Sequence, residues 1–134
     1  MRVLICGGRY FSDYQAVREE LRRIERDQQP FTYIIQGECP TGADKMARIY
    51  ADKHRIPCTS EFRPDWDNLD VPGARIKRNR LGKLYNANAG PDRNKRMMDE
   101  GKPDLVVAFP GGDGTADMVR KAKAAGIEVI EVRP

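Results

Sequence analysis

Three short apolar runs in this chain each lead into glycine within two residues. They are Arg2-Val-Leu-Ile-Cys6 before Gly7-Gly8, Phe31-Thr-Tyr-Ile-Ile35 before Gly37, and Leu105-Val-Val-Ala-Phe109 before Gly111-Gly112. A stretch with helical character follows each one. Val17, Leu21 and Ile24 recur at helical spacing after the first, with Arg and Glu between them. Ala43, Met46, Ala47 and Tyr50 make the stripe after the second, and Met118, Val119 and Ala122 after the third. Apolar strands alternating with amphipathic helices predict a parallel sheet covered on both faces and joined by right-handed crossovers.

The remaining elements follow from local signals. Ser12 or Asp13 caps the first helix, and Pro30 ends it. Ile56 to Phe62 reads as a third strand, although Pro57 and polar residues interrupt it. Pro91 to Glu100 reads as a helix with proline at its first position. Thr115 to Ala125 reads as the last helix, closed by Gly126, and Ile127 to Val132 as the last strand. The expectation is one α/β domain over residues 1–134. It is a Rossmann-like three-layer sandwich with a mostly parallel five-stranded sheet.

Arg63 to Gly90 shows no sustained period and reads as a long basic loop. A loop of that length in a compact domain is more often functional than accidental. It holds Arg63, Arg75, Lys77, Arg78, Arg80 and Lys83, with Trp66 and Tyr85 between them as candidates for base stacking. A lid over an anionic ligand or an arm between subunits ranks first for it. A solvated loop comes second, and a groove for single-stranded nucleic acid third.

In an open parallel sheet, ligands bind beyond the carboxyl ends of the strands, where the strand order reverses. Three glycine turns fall on that edge. In Pro110-Gly111-Gly112-Asp113-Gly114-Thr115, glycines let backbone approach an anion, and a helix N-terminus points N–H groups at it. Thr115 either caps that helix or donates its hydroxyl to a phosphate oxygen. A tight turn alone needs one glycine, not three. In Gly7-Gly8-Arg9 the guanidinium can bind phosphate bidentately, or sit in a surface salt bridge. After Gly37, Thr41-Gly42-Ala43-Asp44 allows close approach at Gly42. Asp44 serves either ribose hydroxyls or the start of its helix. Arg93 and Asn94 lie in the first turn of the third helix and can face the same cleft.

The net charge of +4 suits an anionic partner without choosing one. Cys6, Cys39 and Cys58 form no CxxC pair, and His54 is the only histidine. No metal site is expected, no cofactor is called for, and reduced thiols fit a cytoplasmic protein. No membrane-spanning stretch is present in the sequence.

Taken in order, these residues resemble the YspA-type branch of the SLOG superfamily. The likeness is carried by Gly7-Gly8-Arg9 with Phe11 and Asp13, Gly37 with Thr41-Gly42-Ala43-Asp44 and Ala47, and Asp65-Trp66. It continues through Ala89-Gly90-Pro91, Arg93-Asn94 and Met97 or Met98, to Ala108-Phe109-Pro110-Gly111-Gly112-Asp113-Gly114-Thr115-Ala116-Asp117-Met118. The resemblance implies a Rossmann-like fold and a nucleotide-derived ligand such as a nucleoside phosphate, a ribosyl phosphate, an NAD-related compound or a signalling nucleotide. It also makes a homo-oligomer the expected state.

The wider superfamily includes the Lonely Guy phosphoribohydrolases, Smf/DprA-type DNA-processing proteins and nucleotide-sensing domains. The Lonely Guy motif, Pro-Gly-Gly-x-Gly-Thr-x-x-Glu, ends in a catalytic glutamate. Met118 stands at that position here, and a thioether neither takes a proton nor carries charge. Arg93 corresponds to the arginine that partners the glutamate. Asp117 is the nearest carboxylate, turned by about 100° around the helix. The expectation is therefore a sensor or sequestering domain. The alternatives are an N-glycosidic hydrolase using Arg93 and Asp117, and a single-strand-binding module.

Overall fold

A computed structural model describes residues 1–59 and 61–133. The elements run β1 (Arg2–Cys6), α1 (Tyr14–Asp27), β2 (Tyr33–Ile35), α2 (Gly42–Lys53), β3 (Ile76–Arg78), β4 (Leu84–Asn86), α3 (Ala89–Gly101), β5 (Leu105–Ala108), α4 (Asp113–Ala124) and β6 (Glu128–Glu131). The main sheet is parallel, in the order β2-β1-β5-β6.

Alternation along each strand builds the three layers. Val3, Ile5, Ile34, Leu105 and Val107 face one side, where α1 and α2 bury Val17, Leu21, Ile24, Met46, Ala47 and Tyr50. Leu4, Cys6, Ile35, Val106 and Ala108 face the other, where α3 and α4 bury Met97, Met118, Val119 and Ala122. The period of two in the strands thus splits one chain into two cores.

Among the described residues the main sheet has four strands rather than the five expected. Among its described residues, which leave out Ser60, the segment expected as a strand from Ile56 to Phe62 contributes one parallel bridge, Cys58 to Ile34 of β2. Two ladder bonds form there, Ile34 N to Pro57 O at 2.9 Å and Thr59 N to Ile34 O at 3.0 Å. The ladder then ends because the Thr59 hydroxyl, not a backbone carbonyl, accepts from Gln36 N at 3.0 Å. Pro57 has no N–H to give.

The segment expected to be structureless contains a hairpin. β3 and β4 pair antiparallel, Lys77 opposite Tyr85. Asparagines organise it. Asn79 Oδ1 accepts from Leu81 N and Lys83 N, both at 2.9 Å. Asn86 Oδ1 accepts from Arg75 N at 3.2 Å and Asn88 N at 3.0 Å. Helix starts also shift. α3 begins at Ala89, which makes Pro91 its third residue rather than its first. α4 begins at Asp113, two residues before the expected start at Thr115. Among the described residues, no helix is long and apolar enough to cross a membrane.

Candidate functional site

The strand order reverses between β1 and β5, because β1 is followed in the chain by β2 on one side and bordered by β5 on the other. The carboxyl ends of these two strands are the Gly7-Gly8 and Pro110-Gly111 turns, and they touch. Gly8 N donates to Pro110 O at 2.9 Å. A Cβ on Gly111 would stand 2.6 Å from Gly8 N and 3.0 Å from Gly7 C, and would overlap Thr115 Oγ1. Glycine is therefore required at 111 for the two turns to meet at all.

The β2–α2 turn joins the same junction. Gly8 O accepts from Ala43 N and Phe11 N, each at 3.2 Å. Gly42 has φ +73°, and a Cβ there would run into the Gly8 carbonyl oxygen and the Arg9 backbone. Thr41 Oγ1 donates to Arg9 O at 2.8 Å, so that hydroxyl holds the turns together. Gly7, Gly8, Arg9, Thr41, Gly42, Pro110, Gly111 and Thr115 are thus brought to one place by backbone contacts.

Above this junction lies open space. α4 starts at Asp113 with no side-chain cap, and a Cβ on Gly112 or Gly114 would meet nothing within 4 Å. The first-turn N–H groups of a helix have no partner inside it, and they carry its positive dipole end. The Thr115 hydroxyl lies back over Gly111. Arg9 is exposed, and its guanidinium makes no hydrogen bond or ion pair among the described residues.

The polar residues below are held differently. Arg93 does not extend freely into the cleft. Its guanidinium donates to Gly37 O, to Phe62 O at 3.4 Å and to Asn94 Oδ1 at 3.1 Å. A Cβ on Gly37 would fall on the Arg93 guanidinium and lie 3.1 Å from Asp44 Oδ2. Burial pulls the Arg93 pKa down, against the opposing pull of Asp44. Burial likewise raises the Asp44 carboxyl above its ordinary range, although Cys39 N donates to it at 3.1 Å and Arg93 favours its charge. Cys6 is buried, and its thiol is pushed up to about 12, chiefly by burial.

Asn94 is buried and bridges two helices. Its Nδ2 donates to Gly114 O at 3.1 Å and to Asp117 Oδ2 at 3.0 Å. Asp117 accepts Lys121 Nζ at 2.6 Å, and Arg120 lies 3.5 Å away. Partial burial would raise the Asp117 carboxyl, but Lys121 and Asn94 outweigh it and hold the pKa low. Arg93, Asn94 and Asp117 form one connected chain, anchored to the first turn of α4. Met118 is 1% exposed and points into the core with Leu4, Cys6 and Val106.

Sequence reasoning missed two features. Gln36 is fully buried and accepts Arg48 Nη1 at 2.9 Å while donating to Thr59 O at 2.8 Å, which props the β2–α2 turn from beneath. Only a polar residue closing a buried strand hinted at it. The second is a cleft of about 550 Å³ beside Arg93, lined among others by Arg63, Asp65, Asn68, Asp92 and Arg96. Arg96, one turn beyond Arg93, was the available signal. Trp66 and Tyr85 do not line this cleft. Their rings meet edge to face at 6.1 Å, and Trp66 covers Gly90.

A family model described as the YspA, cpYpsA-related SLOG family matches residues 1–68, just over half of the chain. The chain belongs to that family. The matched part of this SLOG domain runs from β1 through α2 to Asn68 and includes the Gly7-Gly8-Arg9 and Thr41-Gly42-Ala43-Asp44 turns. Pro110–Thr115 lies beyond it and is tied to it by the Gly8–Pro110 hydrogen bond. A comparison with curated proteins finds no match. The SLOG domain holds, among its described residues, no group of three or more His, Cys, Asp or Glu side chains placed to share a metal ion.

Proposed function

We propose that this SLOG domain binds the phosphate of a nucleotide-derived ligand at the β1/β5 switch point, as a sensor or sequestering domain. One observation carries the reading. The two central turns are joined backbone to backbone, and the uncapped first turn of α4 opens directly above them. Such a place offers N–H donors, a helix dipole and no Cβ in the way. Thr115 and Arg9 add a hydroxyl and a guanidinium with no other partner among the described residues. In this reading the sugar and base extend toward Asp44 and the cleft beside Arg93.

Isothermal titration against nucleoside monophosphates, ADP-ribose and cyclic dinucleotides tests it. At least one should bind, and Gly112→Asp, which sets a carboxylate against the phosphate, should abolish binding. No binding by any of them, or binding that Gly112→Asp leaves intact, overturns the reading.

A second reading keeps this ligand and adds cleavage of its N-glycosidic bond. Asp44 favours it: a carboxyl raised by burial and set beside an arginine is suited to proton transfer. Arg93 and Asp117, joined through Asn94, are the other candidate catalytic groups. Release of free base from a nucleoside monophosphate, lost in Asp44→Asn, Arg93→Ala or Asp117→Asn, supports it. An equally active enzyme in all three contradicts the assignment.

A further inference from the structure

Of the β3–β4 hairpin only Asn86, at the end of β4, lines the cleft above. Between Asp70 and Asp92 the sequence holds no acidic residue, and Arg75, Lys77, Arg78, Arg80 and Lys83 fall within nine positions. None of these five lines the cleft beside Arg93. A lid over that cleft would line it with its cations, and these lie outside it. Lys83 pairs with Asp67 at 3.2 Å, and Arg78 Nη1 donates to Gly82 O at 2.8 Å. Arg75, Lys77 and Arg80 make no side-chain hydrogen bond or ion pair among the described residues.

The apolar residues of the hairpin are also turned outward. Leu81 at the turn is 93% exposed, and Ile76 and Leu84 are 44% and 41% exposed. Leu81 at the tip of a basic ribbon, with Ile76 and Leu84 partly exposed beside it, has apolar area whose burial in a partner would be favourable. A second copy of this chain, itself at +4, is a poor electrostatic match for it.

We infer that the β3–β4 hairpin is a groove-binding arm for duplex DNA. A two-stranded ribbon fits the major groove, and basic ribbons with apolar tips also wedge base steps from the minor groove. Single strands are bound through aromatic faces on which bases stack. Here Trp66 and Tyr85 are half-buried against each other, and Trp66 also packs on Gly90, so that platform is not presented. The cations supply backbone contacts and Leu81 the wedge.

Fluorescence anisotropy with a labelled 20-base-pair duplex tests the inference on the full chain. With three free cations on phosphates, log K should fall against log salt with a slope of about −2.7, a loss of about 40-fold between 50 and 200 mM. The Lys77→Gln/Arg80→Gln pair should remove about 1.8 from that slope. Leu81→Ser should weaken duplex binding while leaving the slope unchanged. These residues are exposed and outside the phosphate site, so nucleotide titrations should match wild type in every variant. Failure of those titrations would speak to the proposed function alone. No duplex binding at 50 mM salt, a slope indifferent to the double variant, or tighter binding of a single strand of equal length overturns the assignment.

Discussion

Gly114 offers a perturbation whose effects on stability and on binding have opposite signs. It is the second residue of α4, with a helical backbone and room for a Cβ, since nothing lies within 4 Å. Glycine in a helix costs up to about 1 kcal/mol relative to alanine. Gly114→Ala should therefore stabilise the ligand-free protein by about 0.5–1 kcal/mol. For a domain of this length, with about 2 cal/mol/K of unfolding entropy per residue, that raises Tm by about 2–4 °C. The Asn94 bond to Gly114 O is made by the backbone and survives. The added methyl narrows the approach of an anion to the first-turn N–H groups. Binding of whichever nucleotide the wild type takes should weaken tenfold or more, about 1.4 kcal/mol. Thermal unfolding and isothermal titration on the same preparations read both. A variant that is more stable and binds as tightly as wild type would mean that the glycines serve the turn only. A destabilised variant would mean that the open space above α4 has been misjudged.

Two further outcomes follow from the same contacts. Gly42→Ala forces a left-handed residue to carry a Cβ into the Gly8 carbonyl, and should cost about 2 kcal/mol or more in urea unfolding; an unchanged midpoint would show that the turns can separate freely. Asp117 has a folded pKa below its unfolded value, so its contribution is complete above about pH 4 and lost as pH falls through the folded value. The stability gap between wild type and Asp117→Asn should therefore be widest near neutrality and narrow as pH falls below the ordinary carboxyl range; a gap that widens on acidification refutes the pairing with Lys121 and Asn94.

How far these features could be read from sequence depended on their range. The three glycine-closed strands and their helices were legible because burial on both faces leaves unbroken apolar runs, as in Val3–Cys6 and Leu105–Ala108. The meeting of Gly8 with Gly111 followed from topology, since a parallel sheet brings every strand-to-helix turn to one edge. The hairpin was not legible. Its strands are three residues each, too short for a period, and asparagine side chains rather than apolar faces hold it. Near Cys58 the interruption by Pro57 is legible in the sequence, but the end of the ladder is not, because it depends on the Thr59 hydroxyl meeting Gln36 N.

Side-chain roles were the least accessible. Arg93 and Asp117 read from sequence as groups near a ligand; what the motif does not show is that Asn94 ties both to the first turn of α4. Burial and long-range partners decided that, and neither appears in a motif. Met118 shows the converse: its residue type already declared a core position, and it lies in the core.

The central claim is that backbone amides at one junction hold a phosphate. Amide chemical shifts in a ¹⁵N-labelled sample, followed while the nucleotide selected by titration is added, test it most directly. The largest changes should fall on Gly112 to Thr115, saturating with the calorimetric affinity. Saturating changes confined to other residues, with these four amides unmoved, would contradict it.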